Sequence, residues 1–192
     1  MTTFWWVRHA PTHQTNFTGW RDVPADLSDG SALDRLADYL PQEACILSSD
    51  LERARHTADR IARDRRRLPD DAALREFDFG AWDGLHHSEV TARDPDLARR
   101  YWEMPGEVAP PGGESWNSAA ARLTAAADRL AIDHAGGHLI LVSHFGAILT
   151  QLQRARGCSA YEVLAQRIDP LSVTCLRLEA GQWSEALVNY QP

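Results

Sequence analysis

The sequence predicts a three-layer α/β sandwich: a mostly parallel sheet with helices on both faces. Three observations carry that prediction. Apolar runs of strand length alternate with amphipathic segments of helix length. Three of those runs stop in polar, chemically capable residues: Arg8-His9, Ser48-Ser49-Asp50 and Ser143-His144. The last two runs follow one another across a short Ala180-Gly181 turn, which adds an antiparallel element.

Residues 2–7 are threonine, aromatic and valine, and run straight into Arg8-His9 before Pro11 stops them. This is a buried strand that releases an arginine and a histidine into a loop. Residues 13–29 are polar and turn-rich. Leu33, Leu36, Ala37 and Leu40 fall at helical spacing, and Pro41 ends that helix. Residues 44–48 form a second strand. Ser49-Asp50 offers capping chemistry for a helix over 51–67, whose basic end, Arg65 to Arg67, reads as a solvated terminus. Residues 72–75 predict a short strand, and the glycine-punctuated stretch 76–84 an ordered loop. A helix over 88–103 is interrupted near Pro95, and proline and glycine make 105–113 a rigid loop. An alanine-rich helix spans 114–135, closed by Gly136-Gly137. Residues 138–143 are the clearest buried strand, followed by a helix over 146–155. Residues 173–178 and 183–190 are the closing strand pair.

At 192 residues the chain has the length of one domain, 1–192, with a sizeable core. A net charge of −7 and a pI near 5.6 argue against nucleic acid or an acidic membrane surface as partner. They leave open a small anionic substrate, because charge inside a cleft decides that. Cys45, Cys158 and Cys175 are odd in number, widely spaced and in no metal-like cluster, which suits reduced thiols in a cytoplasmic protein. The N-terminus shows no signal-peptide pattern, and no apolar run approaches the ~18 residues needed to cross a membrane.

Parallel strands bring their C-terminal ends to one edge of the sheet. Arg8, His9, His144 and Arg53, one helical turn past the second strand, can therefore converge into a cationic pocket suited to a phosphoryl group. An arginine there is a fixed cationic fork, and a histidine is a nucleophile or proton carrier. Glu76 can supply the carboxyl that protonates a leaving oxygen, with Asp78 as its rival. Thr12 contacts phosphate or steadies the loop. His13, His56, His86, His87, His134 and His138 read as surface or packed histidines. None forms a metal-ligand pattern, so no metal and no cofactor are expected. The tryptophans read as core or pocket wall rather than a stacking platform, because no basic stripe accompanies them.

These blocks resemble, in order, those of the histidine phosphatase superfamily, which includes the cofactor-dependent phosphoglycerate mutases. Val7-Arg8-His9-Ala10-Pro11-Thr12 is similar to its Arg-His-Gly-x-Thr block. Ser48-Ser49-Asp50-Leu51-Glu52-Arg53-Ala54, with Thr57-Ala58, is similar to its second block. Leu74-Arg75-Glu76 through Gly80, Trp82 and Gly84 resembles its acid-donor block, and Val142-Ser143-His144-Phe145-Gly146 its second-histidine block. Pro111-Gly112-Gly113-Glu114-Ser115 is a fifth match. The resemblance implies a phosphoglycerate-mutase-like fold. It implies His9 as the nucleophile that becomes phosphorylated, Arg8, Arg53 and His144 as ligands of the phosphoryl oxygens, and Glu76 as proton donor. Asn16, Thr18 and Gly19 resemble phosphate-loop residues of the mutases, at a shorter spacing from Arg8, and are ligand contacts or turn residues. Ala10 departs from the family's usual glycine.

Three activities remain open on the sequence. A metal-independent phosphomonoesterase acting on a small phosphorylated metabolite leads. Within the resemblance the candidate substrate is α-ribazole 5'-phosphate. A 2,3-bisphosphoglycerate-dependent mutase is the alternative. The mutases' tyrosine and lysine align with Phe79 and His87 here, whereas Phe17-Thr18-Gly19-Trp20 and Arg99-Arg100-Tyr101 look mutase-like. A member that binds phosphorylated ligands without catalysis is the third. An aromatic lid with Trp20, Trp82, Tyr101, Trp102 and Met104 favours a ring-bearing substrate, unless those rings only pack the lid.

Overall fold

Strand β1 (Thr2–Arg8) lies inside the sheet, paired parallel with β4 (His138–Ser143) and antiparallel with β5 (Val173–Glu179). On the far side of β4 lie β2 (Cys45–Ser48) and the two-residue β3 (Arg66–Arg67), both parallel to it, and β6 (Gln182–Tyr190) pairs antiparallel with β5. The six-stranded order is β3-β2-β4-β1-β5-β6, and only β5 runs against the others. The computed structural model describes every residue from Met1 to Pro192.

Alternation along the strands builds the layers, because successive side chains point to opposite faces. Phe4 and Trp6 of β1, with Leu139 and Leu141 of β4, enter one core with α5 (Trp116–Asp133) and α6 (Phe145–Arg156). Val7, Ile140 and Val142 enter the other, with α1 (Gly30–Tyr39) and α2 (Glu52–Ile61). A small third cluster, Trp82, Val90, Ala98 and Tyr101, holds α3 (His87–Arg93) and α4 (Pro95–Glu103) together. A single turn, α7 (Ala160–Val163), has no counterpart in the sequence prediction; Ser159 and Glu162 cap it reciprocally. No helix is long and apolar enough to cross a membrane.

Four expectations fail here for identifiable reasons. The helix expected over 51–67 ends at Ile61, and Ser49-Asp50 does not cap it: its N-cap is Leu51, without a side-chain bond. Asp50 pairs instead with Arg75, accepting from its Nε at 2.7 Å. Arg65 is not a solvated helix end but is 5% exposed. Its guanidinium donates to the carbonyls of Ala37, Leu40, Pro41, Ile61 and Ala62, and so closes the C-terminal ends of both α1 and α2. Helix ends leave carbonyls without intrahelical partners, and one guanidinium carries enough donors to serve two of them. Continuing the helix would remove Arg65 from that position. The strand expected over 72–75 is a 3₁₀ turn, Ala72–Leu74, because Asp71 accepts the N–H of Ala73 and starts a turn there.

Candidate active site

Register places the two histidines. Arg8 pairs with Ser143 across β1 and β4, so the next residues, His9 and His144, stand abreast at the strand ends. Their ring centroids are 5.1 Å apart. His9 Nδ1 lies 2.7 Å from the carbonyl of Ala10. A carbonyl can only accept, so Nδ1 holds the proton and Nε2 keeps its lone pair. The N–H of Ala10 donates to Thr57 Oγ1 at 3.0 Å, and that hydroxyl donates to the Arg53 carbonyl at 2.7 Å. The loop after β1 is thereby tied to α2.

Burial, reinforced by the Arg53 and Arg8 guanidinium groups, pushes His9 down to about 3. His144 is fully buried, and burial, Arg53 and His9 push it well below the usual histidine range. Both its ring nitrogens are without a partner. Each imidazole is neutral near pH 7, the state a nucleophile needs.

The two arginines are held by backbone carbonyls. Arg8 donates to the Ile168 carbonyl at 2.7 Å, and its guanidinium lies 5.5 Å over the Phe145 ring. Arg53, in the first turn of α2, donates to the carbonyls of Gly19 at 2.7 Å and Arg21 at 3.1 Å. Burial lowers both pKa values while the Glu76 carboxylate opposes it. A guanidinium remains charged regardless, so the pair are fixed cations in an acidic protein. Glu76 is itself buried. Its carboxylate accepts the N–H of Gly146 at 3.0 Å and of Ala147 at 3.2 Å, in the first turn of α6. Arg8, His9, Thr12, Asn16, Thr18, Arg53 and Glu76 line one cavity, walled by Phe79, Trp102 and Phe145.

Residues 4–191 match the model of the histidine phosphatase superfamily, branch 1. The chain belongs to that superfamily. It is 34% identical over 179 residues to the bifunctional protein Rv2228c of Mycobacterium tuberculosis, covering 91% of this chain and 46% of that protein. The chain thus spans about half the length of the first relatives it matches. It is 28% identical over 189 residues to the adenosylcobalamin/alpha-ribazole phosphatase of Salmonella typhimurium, covering 94% of this chain and 87% of that one. Among solved structures, the mycobacterial glucosyl-3-phosphoglycerate phosphatase Rv2419c superposes with a TM-score of 0.85 at 26% identity, covering 99% of each chain.

In this histidine phosphatase superfamily member, some expected site residues stand back from the cavity. Gly19 is not in the lining. Its N–H goes to Asp83 at 3.2 Å, its carbonyl to Arg53, and a Cβ on it would meet the Phe77 carbonyl at 2.4 Å. His144 is not in the lining; it is fully buried, abreast of His9 with the ring centroids 5.1 Å apart. Asn16 and Thr18 do line the cavity, but Asn16 donates to the Gly84 carbonyl and Thr18 to the Asn16 carbonyl. Asp78 turns away to accept the N–H of Gly80 at 2.9 Å. Of the expected lid residues, Tyr101 and Trp102 face an apolar recess beside Glu76, Trp20 and Met104 are absent from it, and Trp82 is fully buried between α3 and α4. Ala10, where the resemblance implies glycine, is fully buried, and its N–H donates to Thr57. No group of three His, Cys, Asp or Glu side chains is placed to hold a metal ion.

The sequence assigned no role to Asp83, Arg122 or Glu114. Arg122 donates to the carbonyls of Ala73, Arg75 and Glu76 and pairs with Glu114 at 2.7 Å. Two signals were available: Glu114 inside the fifth matching block, and Asp83 immediately before Gly84 in a loop already expected to be ordered.

Proposed function

We propose that this chain is a metal-independent phosphomonoesterase that hydrolyses a small phosphorylated metabolite through a phosphohistidine on His9. The observation that carries the reading is the Nδ1 bond of His9 to the Ala10 carbonyl. It leaves Nε2 unprotonated in a cavity that also holds two fixed guanidinium groups. The Nε2 lone pair attacks phosphorus as the bond to the ester oxygen breaks, and that oxygen takes a proton from the Glu76 carboxyl. Arg8 and Arg53 balance the charge of the phosphoryl oxygens, and His144, neutral beside His9, would add a ring N–H to them. Water then attacks the phosphohistidine, Glu76 takes its proton, and inorganic phosphate leaves. Glu76 reaches the reacting oxygen by leaving the α6 amides for the cavity it already lines.

Phe77, Phe79, Tyr101, Trp102, Trp116 and Phe145 line the apolar recess, which shares Glu76, Phe79, Trp102 and Phe145 with the phosphoryl cavity. That arrangement suits a leaving group with a ring, and α-ribazole 5'-phosphate is the leading candidate. Phe79, standing where the mutases carry tyrosine, packs against Phe17 at 4.9 Å and brings no hydroxyl, which supports hydrolysis over mutase chemistry. No nucleic acid or membrane partner is part of this reading.

Phosphate release from a panel of phosphomonoesters, with chelator present, tests it. Ring-bearing esters are expected to turn over fastest, His9→Ala to abolish turnover, and chelator to change nothing. Full activity in His9→Ala, or activity lost to the chelator, overturns the mechanism. Phosphoglycerate isomerisation dependent on 2,3-bisphosphoglycerate overturns the hydrolase assignment.

A further inference from the structure

Residues 18–21 form a short loop whose peptide groups are held on both sides by charged side chains. The two oxygens of Asp83 accept the N–H of Gly19 at 3.2 Å and of Arg21 at 2.9 Å. Arg53 takes the carbonyls of Gly19 at 2.7 Å and Arg21 at 3.1 Å. The residue between them, Trp20, is therefore fixed at its backbone. Its indole N–H donates to the Glu76 carbonyl at 2.8 Å. The guanidinium groups of Arg75 and Arg122 lie over its ring, 4.9 Å and 5.9 Å from the centroid. Arg122 donates to the same Glu76 carbonyl at 3.2 Å. Trp20 is 37% exposed, so core packing is not what its indole supplies. A tryptophan with an apolar face against cations and a single committed N–H is a clamp.

We propose that Trp20 is a positioning residue that locks the Glu76 segment to the loop orienting Arg53. The proton donor and the phosphoryl clamp then keep one mutual geometry. The inference rests on the reading of Glu76 as the proton donor. Glu76 must swing from the α6 amides to a leaving oxygen, and the arc of its carboxyl is set by where its own peptide is pinned. A misplacement of about 1 Å at a reacting group costs roughly 10²-fold in rate.

Trp20→Phe keeps a ring and removes the N–H donor. Two esters separate positioning from general damage. Nitrophenolate leaves with little need of a proton, whereas the alkoxide of glycerol 2-phosphate needs one. The quantity is kcat/KM, which reports transfer to His9 rather than the later hydrolysis. Trp20→Phe is expected to lower kcat/KM roughly tenfold or more for the alkyl ester and less than about threefold for the nitrophenyl ester. Glu76→Gln on the same pair should show the same bias, larger. Equal loss on both esters, or none, in Trp20→Phe overturns the proposal, while a biased Glu76→Gln leaves the acid assignment standing. An unbiased Glu76→Gln overturns the acid assignment and this inference with it. Should Trp20→Phe fail to fold, replacing Trp20 by 3-benzothienylalanine, with sulfur in place of the indole N–H, keeps the shape, and the same two outcomes decide.

Discussion

Glu76 is seated on Gly146: its Oε2 accepts the Gly146 N–H at 3.0 Å, and a Cβ at position 146 would stand 2.6 Å from Oε1. The first turn of a helix offers unpaired N–H groups and a favourable dipole end to an anion. The carboxylate thus rests on α6, beside the cavity in which the reaction reading requires it to carry a proton. A side chain at 146 would have to push the Glu76 carboxylate off that seat.

Gly146→Ala should therefore displace Glu76 without disturbing His9. The expected outcome is a drop of roughly 10²-fold in kcat/KM for alkyl phosphates, with the circular dichroism spectrum unchanged. Unaltered kinetics would show that the seat has no part in the reaction.

Arg53→Lys keeps the charge but loses the planar fork and the bonds to the carbonyls of Gly19 and Arg21. A lysine ammonium cannot hold those carbonyls and a phosphoryl oxygen in one plane. A rate loss of about 10² to 10³-fold is expected, the range for removing one well-placed charge donor. Vanadate inhibition should weaken in parallel.

Stability should fall on acidification. His9 sits at about 3 in the folded chain, against an ordinary value of 6.5, and His144 is lowered in the same direction. Between those limits the unfolded chain binds protons that the folded chain refuses. The stabilisation is complete above about pH 6.5 and is lost as pH falls toward about 3. Urea midpoints measured across that window should drop with pH, and His9→Gln should flatten the slope. A slope that His9→Gln leaves intact would assign the effect elsewhere.

Arg65→Ala tests the shared closure of α1 and α2. Five carbonyls lose a charged donor, four of them from bonds of 3.1 Å or shorter. A loss of roughly 3 kcal/mol in urea unfolding is expected, with kcat per folded molecule unchanged because Arg65 is not among the residues that line the cavity.

The sequence by itself determined the layers and the cluster of Arg8, His9 and His144 at the strand ends. Phe4, Trp6, Leu139 and Leu141 alternate with residues of the opposite face at a period that any strand imposes. Arg8-His9 and Ser143-His144 close those strands within single elements, so their meeting follows once the strands are parallel neighbours. Tertiary structure decided the rest. Glu76 finds its seat 70 residues along the chain on Gly146, Trp20 bonds a carbonyl 56 residues away, and Arg65 closes α1 from 25 and 28 residues away. In each case the partner is a backbone N–H or C=O. Every residue carries those groups, so no residue type marks which of them will be left unpaired at a helix end or in a loop. That choice is made only when the elements pack, and it set where Arg65 ended a helix and where Glu76 rests.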